Sequence, residues 1–334
     1  MRCKKPIITK NTGGVPIPCS QCLNCRIDER RIKTHRMMLE ASQHDDCSFL
    51  TLTYNDENLP SEFSSKKTGQ IYDKYSVNPK HVKNFINNLQ VSFKRKYGKK
   101  IKYFTCGEYG EKTNRPHYHI ALFGYPTCLH PNKPKVVNRK FNPCTCRNCA
   151  YLQKLWGKGH IYLGTLTQDS AQYVAGYVTK KLTSDNSDFQ KSALNGRHPE
   201  FARMSLKPAL GKTAIEKHAL HNKRHIKKID DIPKFLVHNG KKWPLGKYLR
   251  EIYKKTLNLE KTPWTFETRA QWKANDLREK HDKMLSMFNA KTLTPEHKDL
   301  IKKGLPLYAL ELLNSQRSLQ IEKQHKYKLQ NKGI

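Results

Sequence analysis

The spacing of apolar residues predicts alternating strands and helices over most of the chain. Residues 48–54 are rich in β-branched and aromatic side chains and stop at a polar Asn-Asp pair, which indicates a strand. A helix is predicted from Asn78, a capping residue placed before Pro79, to Gly98, because apolar residues recur between them at spacings of three and four. A basic helical pattern at 26–42 precedes the first strand.

The following segments complete a regular order of elements. Two strands joined by a polar loop predict a hairpin, and a short helix, a strand and a helix capped by Thr167 follow at 101–109, 117–123, 151–156, 161–166 and 167–182. This order, β-α-β-β-α-β with one further helix, predicts an α+β fold of the ferredoxin-like or RRM-like kind. We expect an antiparallel sheet that is backed by helices on one face and open on the other.

Composition changes along the chain suggest three regions. We divide it into a Cys-rich, basic N-terminal segment at 1–46, a central domain at 47–250 and a basic helical extension at 251–334. The central domain carries a Cys-rich insertion at 124–149 and a hairpin at 233–246 that turns at an Asn-Gly pair. The extension contains a helix that opens with Thr-Pro-Glu.

The charge of the chain restricts its partners. With 63 Lys and Arg against 28 Asp and Glu, the formal net charge is +35, which indicates a polyanionic partner, either nucleic acid or an anionic membrane surface. No apolar run reaches the ~18–20 residues that span a bilayer, and the first residues do not form a secretory signal, so we expect no membrane partner. In an unsecreted chain, ten cysteines favour thiols or metal ligands over disulfides.

The first candidate site is a His-x-His pattern inside a strand. Alternate side chains of a strand share a face, so His117 and His119 point the same way, about 7 Å apart along the backbone, and can hold one metal ion. The predicted hairpin brings Glu108 beside them, which completes a two-His, one-carboxylate ligand set with positions left for water or phosphate oxygen. Two surface histidines and a Glu paired with Arg115 explain the same pattern without a metal, and the residues leave both interpretations open.

The second candidate site is a helical pair of tyrosines. Tyr173 and Tyr177 are one turn apart and share a helix face, and Lys180 and Lys181 continue close to that face. A phenol is a poor nucleophile near neutral pH because its reference pKa is about 10. A divalent cation on a phosphate, with a lysine nearby, would remove that obstacle. Such tyrosine pairs also occur as plain packing, so a catalytic role depends on the metal site lying next to them.

Three motifs, taken in order, resemble those of rolling-circle replication initiators with a His-hydrophobic-His core, the HUH endonucleases. They are Thr-Leu-Thr-Tyr at 51–54, Gly-Glu-Tyr-Gly with Arg-Pro-His-Tyr-His at 107–119, and Tyr-x-x-x-Tyr-x-x-Lys at 173–180. Cys-x-x-Cys-x-x-Cys-Arg at 19–26 and Arg-Met-Ser-Leu-Lys-Pro at 203–208 narrow the resemblance to the initiators of microviruses of the gokushovirus type. One position departs from the pattern, because similar initiators often carry Lys where this chain has Gly176.

The resemblance implies a metal-dependent DNA endonuclease that nicks and later rejoins a single strand of phage origin DNA. It implies that His117, His119 and Glu108 bind Mg²⁺ or Mn²⁺. It further implies that Tyr173 and Tyr177 are paired nucleophiles, which form a 5′-phosphotyrosine and release a 3′-hydroxyl primer. Host DNA polymerase and helicase are the implied partners, since the chain has no Gly-rich phosphate loop for unwinding, and the bacterial cytoplasm is the implied location.

Eight cysteines and a set of basic residues complete the candidates. Each of two groups can supply four thiolates to zinc: Cys3, Cys19, Cys22 and Cys25, and Cys128, Cys144, Cys146 and Cys149. Neither spacing is a clean pair of Cys-x-x-Cys knuckles, so thiols with incidental spacing remain the alternative. Contacts to DNA phosphates are predicted for four basic residues, Lys94, Arg95, Lys96 and Arg115, although a charged helix face often meets only water.

Two other functions fit part of these features. A non-catalytic, zinc-stabilised protein that binds single-stranded nucleic acid needs only the charge and exposed aromatic residues. A transposase or a conjugative relaxase shares the same broad chemistry. Single-tyrosine transposases are usually shorter, however, and relaxases often place the tyrosine before the histidines.

Overall fold

The chain forms two compact units. The computed structural model describes residues 3, 18–60, 63–64, 71–72, 75–110, 113–131, 136–137, 140–141, 143–180, 196–259, 294–302, 319–320 and 323–324. One unit comprises residues 29–259, and the other comprises residues 1–28 and 260–334.

The elements follow the predicted order over most of the described chain. The strands are β1 (Cys47–Thr53), β2 (Phe63–Ser64), β3 (Ile71–Tyr72), β4 (Lys102–Tyr109), β5 (Pro116–Phe123), β6 (Val136–Val137), β7 (Lys140–Phe141), β8 (Ile161–Thr165), β9 (Phe201–Met204), β10 (Phe235–His238) and β11 (Lys241–Pro244). The helices are α1 (Leu23–Ala41), α2 (Pro79–Tyr97), α3 (Arg147–Trp156), α4 (Gln168–Lys180), α5 (Lys212–His221), α6 (Gly246–Thr256) and α7 (Pro295–Lys302), with a 3₁₀ turn at Ile229–Asp231.

A five-stranded antiparallel sheet is the centre of the larger unit. Its strands lie in the order β8-β1-β5-β4-β9, so β5 is the middle strand. Burial alternates along β1, as expected for a strand whose two faces differ. The predicted α+β class is therefore confirmed. The short edge strand β9 lies outside the prediction, and β2 and β3 form a small hairpin within residues expected to be a loop.

The helix α2 shows how local sequence fixes an element. The Asn78 side chain accepts a hydrogen bond from Lys80 N at 3.0 Å, and Gly98 ends the helix in the left-handed region with φ 66°. The apolar stripe between these caps is buried with α3 against one face of the sheet, through Val82, Phe85, Ile86, Leu89 and Phe93. Both predicted caps are confirmed. The helix α3 starts at Arg147, four residues before the predicted helix.

The opposite face of the sheet is not open as expected. The helix α4 packs on it through a stripe of small residues, Ala171, Val174 and Ala175, and α1 adds Met37. Small side chains allow the helix to approach the sheet closely, so this side forms a second core with Phe104, Cys106, Ala121 and Phe123. The coverage is partial, because Tyr162 on β8 stays exposed.

A third, smaller core joins α1 to α5 and α6. It contains Leu39, Ile215, Leu249 and Tyr253 among its buried residues. The hairpin β10–β11 turns at Asn239 and Gly240, both with positive φ, which confirms the predicted Asn-Gly turn.

The helix α7 belongs to the other unit and begins at the predicted proline. Thr294 precedes it, and the Thr294 carbonyl accepts a hydrogen bond from Lys298 N at 3.1 Å. Among the described residues, no helix has the length and apolar character needed to cross a membrane.

Candidate metal centre and tyrosine

The register of β4 and β5 brings the three predicted metal ligands together. Glu108 lies directly opposite His117, and His119 follows two residues later on the same face. One ligand atom from each residue lies within 4.8 Å of the others, and His119 Nε2 is 3.5 Å from Glu108 Oε1. Two imidazoles and a carboxylate at this separation form a donor set that suits one divalent cation.

Hydrogen bonds orient both imidazole rings. His117 Nδ1 donates to the carbonyl oxygen of Arg115 at 3.1 Å, which leaves Nε2 as the nitrogen with a lone pair. His119 Nδ1 lies 2.9 Å from the Thr51 hydroxyl on β1. With its proton on Nδ1, His119 likewise presents the Nε2 lone pair, on the side where Glu108 lies.

Three neighbours of the ligands were not predicted as site residues. The Phe49 ring stacks on His119 with centroids 5.5 Å apart and planes 16° apart. The Cys106 thiol donates to Glu108 Oε1 at 3.5 Å, and burial, followed by the nearby Glu108 carboxylate, raises its pKa well above the usual range. Cys106 is therefore a neutral thiol. Thr51 is the third; alternation along β1 placed it and Phe49 on one face, but only the pairing of β1 with β5 shows that this face carries the histidines.

Tyr173 of α4 lies beside the metal group. Its hydroxyl oxygen is 3.4 Å from His119 Nε2, and the two rings meet edge to face with centroids 5.0 Å apart. The side chain is 47% exposed, so a ligand can reach the hydroxyl from solvent. The helix is held by its small apolar stripe and starts at Thr167, whose hydroxyl accepts a hydrogen bond from Ser170 N at 3.2 Å.

The space beside Gly176 is occupied by an arginine. A Cβ placed at Gly176 would lie 3.7 Å from the guanidinium carbon of Arg30, and Arg30 Nε donates to the Gln172 carbonyl at 3.0 Å. At the position where the motif departs from its relatives, a cation from α1 therefore lies against α4. No sequence signal near the tyrosines points to residue 30.

The other predicted members of the tyrosine motif are only partly described. Tyr177 and Lys180 lie in α4, one and two turns after Tyr173, and their side chains fall outside the described residues. Lys181 also lies outside them. The shared helix places both tyrosine backbones above the same sheet face, and the roles of the later residues stay predictions.

The predicted DNA contacts lie in two places. Arg115 forms an ion pair with Asp56 at 2.6 Å and donates to the Tyr54 carbonyl, next to the start of β5. The basic residues at 94–96 form the last turn of α2, near the start of β4. Because Glu108 is at the other end of β4, about 20 Å along the strand, the structure does not bring these residues to the metal group.

A buried chain of hydrogen bonds supports the histidine strand from behind. Tyr118, between the two histidines, points to the opposite face, where its hydroxyl donates to the Asn78 carbonyl at 2.9 Å and accepts from Asn78 N at 2.8 Å. The Tyr54 hydroxyl lies 2.8 Å from it and 2.9 Å from His81 Nδ1. Burial, with Lys158 and Lys80 nearby, lowers the pKa of His81 to about 4, so the ring is neutral.

Both cysteine groups are assembled in the structure. In each group the four sulfur atoms lie within 4.8 Å of one another, and all ten cysteines of the chain are thiols without disulfides. Burial opposes ionisation of Cys19 and Cys146, but backbone N–H donors and neighbouring thiols outweigh it and lower both pKa values to about 6. Four converging thiols with a tendency to ionise are a suitable metal-binding set.

Comparisons with known proteins agree with this arrangement. A family profile described as replication-associated protein ORF2 matches residues 47–182, which include the metal group and Tyr173. The chain is 30% identical over 248 residues to replication-associated protein VP4 of Bdellovibrio phage phiMH2K, covering 74% of this chain and 70% of that protein. It is 33% identical to replication-associated protein ORF2 of Spiroplasma virus 4, covering 65% of this chain and 61% of that protein.

A third relative comes from another phage. Replication-associated protein ORF4 of Chlamydia phage 1 is 25% identical, with 73% of this chain and 55% of that protein covered. No solved structure matches the chain at a significant level. The fold and site thus define a replication-associated protein of the ORF2 class. Within that class, the chain belongs to the family of replication-associated proteins of microviruses.

Proposed function

We propose that this protein initiates rolling-circle replication by nicking single-stranded phage origin DNA and later rejoining the displaced strand into a circle. The observation that carries the proposal is the 3.4 Å separation between the Tyr173 hydroxyl and Nε2 of His119, a member of the metal group. A nucleophile beside a divalent-cation site is the arrangement that phosphodiester cleavage requires. The names of the relatives support a role in replication.

Glu108, His117 and His119 would hold Mg²⁺ or Mn²⁺. Both imidazoles are held in the tautomer that presents Nε2, and the Glu108 carboxylate is 2% exposed, so the ligand set is formed by the fold itself. When bound, the cation would offset the charge of the phosphate and polarise its P–O bonds.

Tyr173 is proposed as the attacking group. Its oxygen loses a proton and forms a bond to phosphorus, the bond from phosphorus to the 3′ oxygen breaks, and that oxygen takes up a proton. The products are a 5′-phosphotyrosine and a 3′-hydroxyl from which a host polymerase extends. The ammonium groups of Lys180 or Lys181 would stabilise the phenolate or protonate the leaving oxygen.

Tyr177 is proposed as the second nucleophile, which cleaves the strand again while the first linkage persists. The released 3′-hydroxyl then attacks the first phosphotyrosine, re-forms a phosphodiester and returns the phenol, so the displaced strand becomes a circle. Host helicase would unwind the duplex in the bacterial cytoplasm. Arg115 and the basic turn at 94–96 would contact DNA phosphates away from the reacting bond.

Zinc is proposed as the metal of the two cysteine groups. Four thiolates form a closed tetrahedral set typical of structural zinc, in contrast to the mixed ligand set at Glu108. Cys128, Cys144, Cys146 and Cys149 would then anchor the insertion to the start of α3, where Cys146 is the residue before the helix.

The test is a denaturing gel with a labelled single-stranded origin oligonucleotide and Mn²⁺. Wild-type protein is expected to form a covalent protein–DNA adduct, and a Y173F/Y177F double variant is expected to form none while binding the same DNA. The single variants show which tyrosine cleaves first. A wild-type protein that binds the oligonucleotide but never forms the adduct would overturn the proposal in favour of a non-catalytic single-strand binding protein.

A further inference from the structure

Tyr162 lies on the same sheet face as the metal group and is exposed. The register pairs Thr51 of β1 with Tyr162 on one side and with His119 on the other. The three residues therefore form one row across adjacent strands. Two interstrand spacings separate Tyr162 from His119 at the backbone, about 10 Å.

The local sequence directs this ring outward. Ile161 and Leu163 are buried on the opposite face, so alternation along β8 turns Tyr162 toward the site face, where it is 42% exposed. β8 is an edge strand, and the coverage by α4 does not extend over this ring. The core does not require an aromatic residue at this position.

A glycine lets the ring lie against its own strand. A Cβ at Gly164 would lie 3.2 Å from Tyr162 Cε1, 3.7 Å from Cζ and 3.6 Å from the hydroxyl oxygen. The outer part of the ring therefore passes over Gly164, in the space that a side chain there would occupy. One side of the ring faces the strand, and the ring stays accessible from solvent.

We propose that Tyr162 is a stacking platform for a nucleobase of the single strand, close to the phosphate that reacts. This inference rests on the proposed function, because it assigns a contact for the substrate of that same site. An accessible aromatic ring on a basic protein is the element that binds single strands without strict sequence preference, since every base offers a flat face. With a phosphate at the metal group and a base on Tyr162, the DNA runs across the strands, from β5 over β1 to β8.

The experiment measures affinity for a fluorescent single-stranded oligonucleotide in EDTA, where binding is read without cleavage. Removing a stacking contact lowers affinity roughly 5- to 150-fold, so Y162A is expected to fall in that range and Y162W to bind about as well as wild type. F235A is the matched control, because Phe235 is a 43% exposed aromatic residue on a strand of the separate β10–β11 hairpin. It is expected to bind like wild type.

A second variant changes the platform without removing the tyrosine. G164V places a β-branched side chain, well suited to a strand, where the Tyr162 ring now lies, and it is expected to weaken binding in the same direction as Y162A. Wild-type affinity in Y162A, or an equal loss in F235A, would overturn the platform. Neither result would affect adduct formation by wild-type protein with Mn²⁺, which tests the proposed function separately.

Discussion

The Thr51 hydroxyl lies 2.9 Å from Nδ1 of His119, across the pair formed by β1 and β5. The contact links the first strand of the sheet to a residue of the metal group on the middle strand. It fixes both the tautomer and the plane of the imidazole, because a ring that donates from Nδ1 directs its Nε2 lone pair toward the cation. Thr51 therefore acts on the metal through His119 and is a positioning residue.

Replacing Thr51 by Val is expected to lower Mn²⁺ affinity by about 10- to 100-fold, the usual effect of losing such a support. Isothermal titration calorimetry measures it. T53V is the matched control, since Thr53 is two residues along the same strand and its hydroxyl donates to the His160 carbonyl rather than to a ligand. An equal loss of affinity in both variants would show that Thr51 has no special role.

Tyr118 is expected to stabilise the fold through its buried hydroxyl. Y118F removes the partner of Asn78 N–H and of the Tyr54 hydroxyl inside the core, so the free energy of unfolding should fall by about 1–3 kcal/mol. Urea denaturation measures the change. Y162F, which alters an exposed tyrosine of the same sheet, should stay within about 0.5 kcal/mol of wild type. A Y118F protein as stable as wild type would contradict the expected contribution.

Metal analysis tests the cysteine groups. Protein purified without chelator is expected to carry two zinc ions per chain, and C144S and C22S are each expected to lose one of them. C47S is the control, because Cys47 belongs to neither group. Plasma mass spectrometry counts the ions. Zinc-free wild-type protein, or a C47S protein that also loses an ion, would rule out the assignment.

His35 predicts how stability changes in acid. Burial lowers its pKa to about 4, with His238 lowering it further and the Pro244 carbonyl opposing, and its Nε2 lies 2.9 Å from His238 Nε2. In the unfolded chain the pKa is about 6.5. Between about pH 6.5 and about pH 4 the unfolded state binds the extra proton, so this contribution to stability is present above that window and is lost as the pH falls through it.

The loss is of the order of 3 kcal/mol across the window. Urea denaturation at pH 7.5 and at pH 5 measures it, and H35Q, which cannot titrate at this position, should show a flatter dependence on pH. A variant whose stability falls with pH as steeply as that of wild type would assign the effect to other groups.

Local signals in the sequence were enough for several elements. The caps at Asn78 and Gly98 and the apolar stripe between them defined α2, because each signal depends only on neighbours along the chain. The hairpin of β4 and β5 placed Glu108 beside His117 for the same reason, since a short loop fixes the pairing. The grouping of the three proposed ligands was therefore accessible from the sequence.

Other features depend on distant contacts. The position of β1 next to β5, which brings Thr51 to His119, is set by the packing of the whole sheet. The placement of Arg30 against Gly176 joins residues far apart in sequence. The short strand β9 has few residues and no clear alternation, so its pairing with β4 decides its structure. Tertiary packing thus determines the surroundings of the site, while local patterns determine its ligands.

The histidines lie on the middle strand of the sheet, hydrogen-bonded to a neighbour on each side. Moving either imidazole by a backbone shift would break ladders on both flanks, so this segment should rank among the slowest to exchange its amide hydrogens. The cost of gathering the ligands is met during folding, before any nucleic acid arrives. Adaptation on encounter therefore falls to the flexible DNA strand, which has to bend to a rigid centre.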